Sequence, residues 1–436
     1  MALTSRAALT SRAALTSRAA LTSRAALTSR AARAGLLQLM DVQLIGTGGP
    51  DGWPRPGCRC ACCVRGRAAG RSRSPAAVVL DGKLHIAAGQ PPRPVRAGAG
   101  QSGDSGGAGQ SGGAGGAGQS GGDRVSGGAG GHVVRRVPGG WDITGPDGGR
   151  LLLAGQQGAV PDPGAAGRPY DVALLDLAAD PFQLGDLRRR GLVRAGTAVA
   201  AFHLDDRICS EQEMARRCLL WGAILPDDGD RLGAPARTPA RPARTLVLGG
   251  ARSGKSAEAE LRLAGEPDVT YLATAVAPDG AADPDCGDLE WAARIAAHRA
   301  RRPPGWKTAE GVDAAGILRN KPSGAVLVDG IGSWLARVLD ESGTWDMDPG
   351  WTGGAGAGPA GPANRIDAAM DDLVQAWRQA PARIVAVSDE AGSGVVPPTR
   401  AGRLFRDRLG ELNQRLAAES EEVVLVVAGR ILTVAT

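Results

Sequence analysis

The run Gly249-Gly250-Ala251-Arg252-Ser253-Gly254-Lys255-Ser256 constrains this chain more than any other stretch. A glycine, four residues and then Gly-Lys-Ser is the spacing of a phosphate-binding loop, which works only between a buried strand and a helix N-terminus. Both flanks are present. Thr245-Leu246-Val247-Leu248 reads as a short buried strand, and Ala257-Glu258-Ala259-Glu260-Leu261 opens a helix. The glycines let backbone N–H groups close around phosphate oxygens, and the helix dipole favours the anion. Lys255 has the reach for the β- and γ-phosphates, and the Ser256 hydroxyl suits Mg²⁺. The chain has only four lysines, Lys83, Lys255, Lys307 and Lys321, so one inside this loop is selective.

Beyond the loop, apolar strand-length runs alternate with helical patterns. Strands are expected near Thr245, Val269 to Ala273, Ala325 to Val328, Arg383 to Val387 and Val423 to Val427. Helices are expected near Ala257 to Leu263, Leu289 to Arg299, Arg365 to Gln379 and Arg400 to Leu416, the last carrying Leu404, Phe405, Leu409, Leu412 and Leu416 on one face. This alternation predicts an α/β fold, a mostly parallel sheet with helices on both sides. Asp329 ends an apolar strand, as a Mg²⁺-supporting carboxylate does; a turn-capping Asp would look the same. His298 is followed by Arg299, Ala300, Arg301, Arg302 and Pro303. By spacing alone it reads either as a satisfied structural histidine or as a nucleophile toward a phosphate neutralised by those guanidiniums.

The net charge of +6 does not mark a nucleic-acid binder. Residues 1–39 hold six arginines and no acid, so the remainder is electrically balanced. That leader repeats Ala-Leu-Thr-Ser-Arg-Ala, and a period of six spreads the arginines over three helical faces rather than one. It reads as a low-complexity leader, upstream of the start if that is Met40 and part of the chain if it is Met1. Apolar runs are strand-length, no signal-peptide core is present, and seven cysteines with four of them clustered do not form a secreted disulfide pattern. A cytoplasmic protein without a membrane anchor is expected. The organisation read from composition is a leader 1–39, a first domain 40–232 with a Gly-rich insertion 97–131, a Pro/Arg/Ala linker 233–243, and the α/β domain 244–436. A second small Gly-rich insertion runs from Gly353 to Pro362.

Residues 244 to about 430 resemble the bifunctional adenosylcobinamide kinase/adenosylcobinamide-phosphate guanylyltransferase family. The resemblance rests on Gly249 to Ser256, Tyr271-Leu272-Ala273-Thr274-Ala275, and Glu290-Trp291-Ala292-Ala293-Arg294-Ile295 leading to His298-Arg299 and Arg302-Pro303. It continues through Trp306-Lys307-Thr308-Ala309-Glu310, Leu327-Val328-Asp329, Val387-Ser388-Asp389-Glu390-Ala391-Gly392-Ser393-Gly394, Phe405-Arg406-Asp407 and Leu412-Asn413-Gln414-Arg415-Leu416. It implies a P-loop NTPase-like fold and two reactions on adenosylcobinamide, with ATP and GTP as substrates and Mg²⁺ as cofactor. It also implies His298 as the guanylylated nucleophile. Nucleotide contacts are implied at Gly249 to Ser256, Ala273, Thr274, Ala275, Arg299, Ala300, Arg301, Arg302, Glu310 and Asp329, and Mg²⁺ ligation at Ser256 and Asp329. A homo-oligomer is expected. Asp389 stands where many members carry Asn, Gly330 where others carry Cys, and Ala297 where many carry a second His. A P-loop kinase of other specificity is the alternative reading.

Leu44-Ile45-Gly46-Thr47-Gly48 followed by Cys58, Cys60, Cys62 and Cys63, with Tyr170-Asp171 and His203-Leu204-Asp205-Asp206, resembles metallo-β-lactamase-like hydrolases of the phosphodiesterase type. The resemblance implies an αββα domain. It lacks the His-x-His-x-Asp-His cluster that holds two metals, since the chain has only His85, His132, His203 and His298. A degenerate domain is therefore expected. A metal-dependent hydrolase is the remaining alternative, and the cysteines are candidate zinc ligands, although Cys60 and Cys62 lie too close for one unstrained four-cysteine site.

Overall fold

Leu151-Leu152-Leu153-Ala154 is buried at every position, which a strand achieves only when both faces of its sheet are covered. The computed structural model describes residues 40–87, 90–95, 124–125, 129–137, 139–154, 167–232, 241–274, 302–311, 313–320, 324–345 and 361–435. The leader, most of both Gly-rich insertions and of the linker, and the expected helix near Leu289 to Arg299 lie outside them.

The first half begins with β1 (Val42–Gly46), α1 (Ala61–Ala68), β2 (Ala77–Leu80), β3 (Leu84–Ala87), β4 (Arg93–Pro94) and β5 (Arg124–Val125). An antiparallel meander follows, β6 (Val133–Val137), β7 (Gly140–Thr144) and β8 (Arg150–Ala154). Next come β9 (Val172–Leu175), α2 (Phe182–Arg189), β10 (Ala198–Ala201), α3 (Glu211–Trp221) and β11 (Arg231–Leu232). They build two sheets, ordered β11-β1-β2-β3-β4 and β10-β9-β8-β7-β6-β5. Leu151, Leu153, Val172 and Leu174 face Val42, Leu44, Val78 and Leu80 of the smaller sheet. The alternate residues Leu152, Ala154, Ala173 and Leu175 face the helices, against Leu184, Leu187, Met214, Cys218 and Trp221. Among the described residues, helices cover only this outer face, whereas Ile45 on the smaller sheet is 42% exposed. Ser210 caps α3 by accepting from the Glu213 amide, as its spacing predicts. β10 stops at Ala201, and His203 two residues on takes φ 71° and turns the chain.

The second half contains β12 (Arg244–Gly249), α4 (Lys255–Arg262), β13 (Val269–Ala273), β14 (Lys307–Glu310), α5 (Ala314–Asn320) and β15 (Ala325–Asp329). It continues with α6 (Ile331–Glu341), α7 (Pro362–Gln379), β16 (Arg383–Asp389), α8 (Arg400–Ala418), β17 (Glu422–Val427) and β18 (Arg430–Ala435). The sheet order is β14-β13-β15-β16-β12-β17-β18, parallel throughout except β18. Leu246, Val328 and Ile384 pack under α6, α7 and α8 against Leu335, Trp377 and Leu412. Val247, Leu327 and Val385 pack on the opposite face, against Ala259 and Leu263. Two-sided burial explains why these strands are continuously apolar.

The halves meet along α4. Trp221 Nε1 donates to Leu261 O at 2.7 Å, and Arg216 Nη1 to Glu258 Oε1 at 2.9 Å. Gly185 lies so close to the 264–266 backbone that a Cβ would sit 2.6 Å from Ala264 O.

Candidate functional site

Parallel pairing brings the carboxyl ends of the strands to one edge, where α/β sheets place their ligands. Ala273 pairs in register with Glu310 on one side and Asp329 on the other, and Gly249 pairs with Asp389 and Val426. Residues that are far apart in sequence thus line one edge beside the 249–256 loop.

The loop itself is tightly built. A Cβ on Gly249 would fall 2.5 Å from Ser253 Oγ and 2.8 Å from Val426 O, so no larger residue fits. Gly254 takes φ 97° and Arg252 φ 56°, which bends the chain sharply into α4. The Gly429 amide donates to Ser253 O at 2.8 Å, holding the loop from the β17–β18 turn. Gly254, at the N-cap of α4, has no side chain to cap it, and the Lys255 amide reaches only Ser253 Oγ at a long 3.4 Å.

Lys255 Nζ lies 2.9 Å from Asp389 Oδ1 and 3.1 Å from Gly250 O. Ser256 Oγ donates to Asp329 Oδ1 at 3.2 Å, and the Tyr271 hydroxyl donates to the other carboxylate oxygen. Burial, reinforced by the Asp329 charge, pushes the Tyr271 hydroxyl far above its usual range, so it stays a donor. Thr274 donates to Gly330 O at 2.6 Å and fixes the turn after β15. The Arg302 guanidinium stacks 3.4 Å from the Tyr271 ring centroid, with Nη1 3.3 Å from Thr308 Oγ1. Arg302 is thereby joined to Asp329 through Tyr271. Glu310 ends β14 at the surface.

The structure thus gathers Gly249 to Ser256, Ala273, Thr274, Arg302, Glu310 and Asp329 on one edge. Ala275, His298, Arg299, Ala300 and Arg301 lie outside the described residues. Three participants were quoted with the family resemblance but given no role from the sequence: Tyr271, Asp389 and Asn413. Asn413 donates to Asp389 O at 3.1 Å and accepts from Ser388 Oγ at 2.6 Å, which fixes the end of β16. A tyrosine two residues before Ala273 on a buried strand was the available signal for the first of them.

In the first half the four clustered cysteines do not converge as a set. Cys62, at the start of α1, turns into the core, accepting from Trp53 Nε1 at 3.2 Å and donating to Ile208 O at 2.6 Å. Cys58, Cys60 and Cys63 gather instead with Asp206. Asp176, just after β9, is held by Arg207 Nη2 at 2.9 Å, and Arg207 Nε reaches Asp205 at 2.8 Å. His203 is buried with neither ring nitrogen hydrogen-bonded among the described residues, and burial pushes it down to about 4.

Comparison with known proteins accounts for the second half. Residues 245–434 match the family profile described as cobinamide kinase / cobinamide phosphate guanyltransferase. The bifunctional adenosylcobalamin biosynthesis protein CobU of Salmonella typhimurium is 37% identical over 187 residues, covering 42% of this chain and 95% of that protein. CobU of Escherichia coli is 37% identical over 188 residues with the same coverage. CobP of Pseudomonas aeruginosa is 40% identical over 191 residues, covering 43% of this chain and 94% of that protein. Among solved structures, an ATPase from a bacterial type III secretion system is similar at a TM-score of 0.25 and 11% identity, covering 42% of this chain and 50% of that one, a likeness too loose to bear on the fold. The loop, the carboxylate-bearing edge and near-complete coverage of these relatives together make this chain a member of the bifunctional cobinamide kinase/cobinamide phosphate guanyltransferase family, with a further first half that those alignments do not reach.

Proposed function

We propose that residues 244–436 phosphorylate the aminopropanol hydroxyl of adenosylcobinamide and then pass GMP from GTP to the resulting phosphate, through a covalent intermediate on His298. The observation that supports this most directly is the meeting of Lys255, Ser256 and Asp329 at the mouth of one loop. Ser256 and Asp329 are the residues that hold Mg²⁺ in this reading, since a hydroxyl and a carboxylate 3.2 Å apart are oxygen donors of the kind it takes. Bound there, the ion neutralises charge on the phosphate oxygens. Lys255 and the amides of the loop grip the triphosphate, while Tyr271 keeps Asp329 oriented. Arg302, stacked on Tyr271, brings a cation to the same edge.

In the second reaction the imidazole of His298 attacks the α-phosphorus of GTP. A P–N bond forms as the bond to the β-phosphate oxygen breaks, and pyrophosphate leaves. A phosphate oxygen of adenosylcobinamide phosphate then displaces the histidine, giving adenosylcobinamide-GDP. Two displacements through a neutral nucleophile replace one direct attack between two anions. Glu310, at the end of β14, suits recognition of guanine N1–H and N2–H.

The first half is, in this reading, a degenerate metallo-β-lactamase-like scaffold carried as a fusion partner. Among the described residues His132 is paired with Asp81 at 2.9 Å, and no histidine cluster forms.

Incubating the full chain with GTP radiolabelled at the α-phosphate tests the mechanism. Acid-labile, base-stable label that is absent from His298→Ala and discharged by adenosylcobinamide phosphate is expected. A folded, GTP-binding protein that takes no label would overturn the histidine relay and leave the kinase activity alone.

A further inference from the structure

We propose that Cys58, Cys60, Cys63 and Asp206 form a structural zinc site that ties the segment entering α1 to the turn after β10. The inference stands apart from the cobinamide reading, because none of these residues belongs to the second half. One ligand atom from each of the four lies within 4.8 Å of all the others. Cys58 Sγ is 3.7 Å and Cys60 Sγ 4.0 Å from Asp206 Oδ2. A tetrahedral zinc with ordinary Zn–S and Zn–O bonds has ligand–ligand edges of about 3.5–3.8 Å, so a small contraction closes the shell.

The surroundings suit a metal better than they suit packed thiols. Cys62 shows what a packing cysteine looks like here: buried, hydrogen-bonded to Trp53 and Ile208, and part of the apolar core. Cys63 is buried in the same core, but Cys58 and Cys60 sit half-exposed at its edge beside a carboxylate. The Cys63 amide lies 3.4 Å from Cys60 Sγ, an N–H aimed at sulfur that caps α1, the kind of donor that a metal-bound sulfur accepts. Zn²⁺ with three thiolates and one carboxylate carries a net charge of −2. Arg55 supplies a compensating guanidinium, 3.3 Å from Asp206 Oδ2 and 3.7 Å from Cys58 Sγ. The Cys-x-Cys-x-x-Cys spacing gives three ligands from one turn, and Asp206 brings the fourth from more than a hundred residues away. Four protein ligands leave no open position, which makes the site structural rather than catalytic. Its role is to pin the turn that also carries Arg207, the residue that holds Asp176 and Asp205.

The test is metal analysis of the full chain purified under reductant and dialysed against metal-free buffer. About one zinc per chain is expected, lost in Cys60→Ser and Cys63→Ser and kept in Cys209→Ser and Cys62→Ala. Substitution with cobalt should give thiolate-to-metal charge transfer and the visible bands of a tetrahedral ion, shifted in Asp206→Asn. Should the cysteine variants fail to fold, stripping zinc from the wild-type chain with a strong chelator replaces them; a lower melting temperature restored by zinc alone supports the site. A folded wild-type chain without zinc, zinc kept in a Cys58→Ser/Cys60→Ser variant, iron in its place, or a Cys58–Cys60 disulfide under reductant each overturns it.

Discussion

The two halves of this molecule place similar groups at the ends of parallel strands and then treat them in opposite ways. In the second half Asp329 ends β15 and shares its oxygens between Ser256 and Tyr271, next to the N-terminus of α4. In the first half Asp176 follows β9, but Arg207 closes over it and over Asp205, and His203 beside them is buried without a partner among the described residues. One edge presents hydroxyl, ammonium and amide groups toward a ligand. The other consumes its charges internally. A carboxylate at a strand end therefore marks a site only when its neighbours leave it something to bind.

The sharpest way to break that comparison is to remove one cation from each edge. Lys255→Ala should lower turnover about a thousandfold, since a preorganised charge on a phosphate is worth ~4 kcal/mol in the transition state. Arg207→Ala should leave GTP-dependent turnover unchanged. Steady-state rates for both variants decide it; a turnover loss with Arg207→Ala would mean the first edge is not closed on itself.

A second variant asks whether the halves are energetically separate. Arg262 is 1% exposed and binds Glu258 at 2.9 Å and Glu422 at 3.1 Å, while Glu258 also receives Arg216 from the first half. Arg262→Ala leaves two buried carboxylates short of a partner and should cost about 3–4 kcal/mol. Because Glu258 is shared, calorimetry should show both halves melting earlier. A fall confined to the second half would show that the seam carries little energy.

How much of this was legible beforehand differs between the halves for a physical reason. The 249–256 loop states its function in spacing, and strands buried on both sides are continuously apolar, so β12, β13, β15, β16 and β17 were readable. α6 was not singled out, although Trp334, Leu335 and Leu339 face the core, because only Gly330 separates its start at Ile331 from the end of β15, and the apolar strand runs almost straight into it. β14 and β18 were missed because edge strands such as Lys307–Glu310 are largely exposed and lack an apolar run. In the first half β2, β3, β6 and β7 are hairpin strands of four or five residues, too short to stand out by periodicity, although Asp81-Gly82 between β2 and β3 was a local turn signal. The partnership of Tyr271 with Asp329 and the divergence of Cys62 from its neighbours are also tertiary facts: spacing shows that four cysteines are close, not which way each points.

The closed edge of the first half carries a pH signature of its own. His203, its ring pushed down to about 4 by burial with Arg207 adding to the shift and Asp205 opposing it, stays neutral when folded. The unfolded chain binds that proton near pH 6.5, so the stability is complete above this value and declines as pH falls toward 4, by up to about 3 kcal/mol. Denaturant melts at pH 7.5 and 5 should show a smaller loss in His203→Asn, a residue that tolerates the positive φ. Equal losses in both proteins would mean that His203 is solvated rather than stranded.

The smallest effect probes the one point where the open edge also turns a charge inward. Asp389 pairs with Lys255 at 2.9 Å yet remains 47% exposed, and its backbone is fixed by Asn413. Gly332 clears its other oxygen, since a Cβ there would sit 3.1 Å away. A carboxylate in this position competes with phosphate for the lysine and repels it. Asn keeps the shape and the hydrogen bond without the charge. Asp389→Asn should therefore tighten triphosphate binding about fivefold, a gain of ~1 kcal/mol in keeping with a half-exposed pair, and the gain should shrink as salt screens it. Titration calorimetry at low and high ionic strength reads both. If binding weakens instead, Asp389 holds Lys255 in its working position, and the open edge depends on an internal ion pair just as the closed one does.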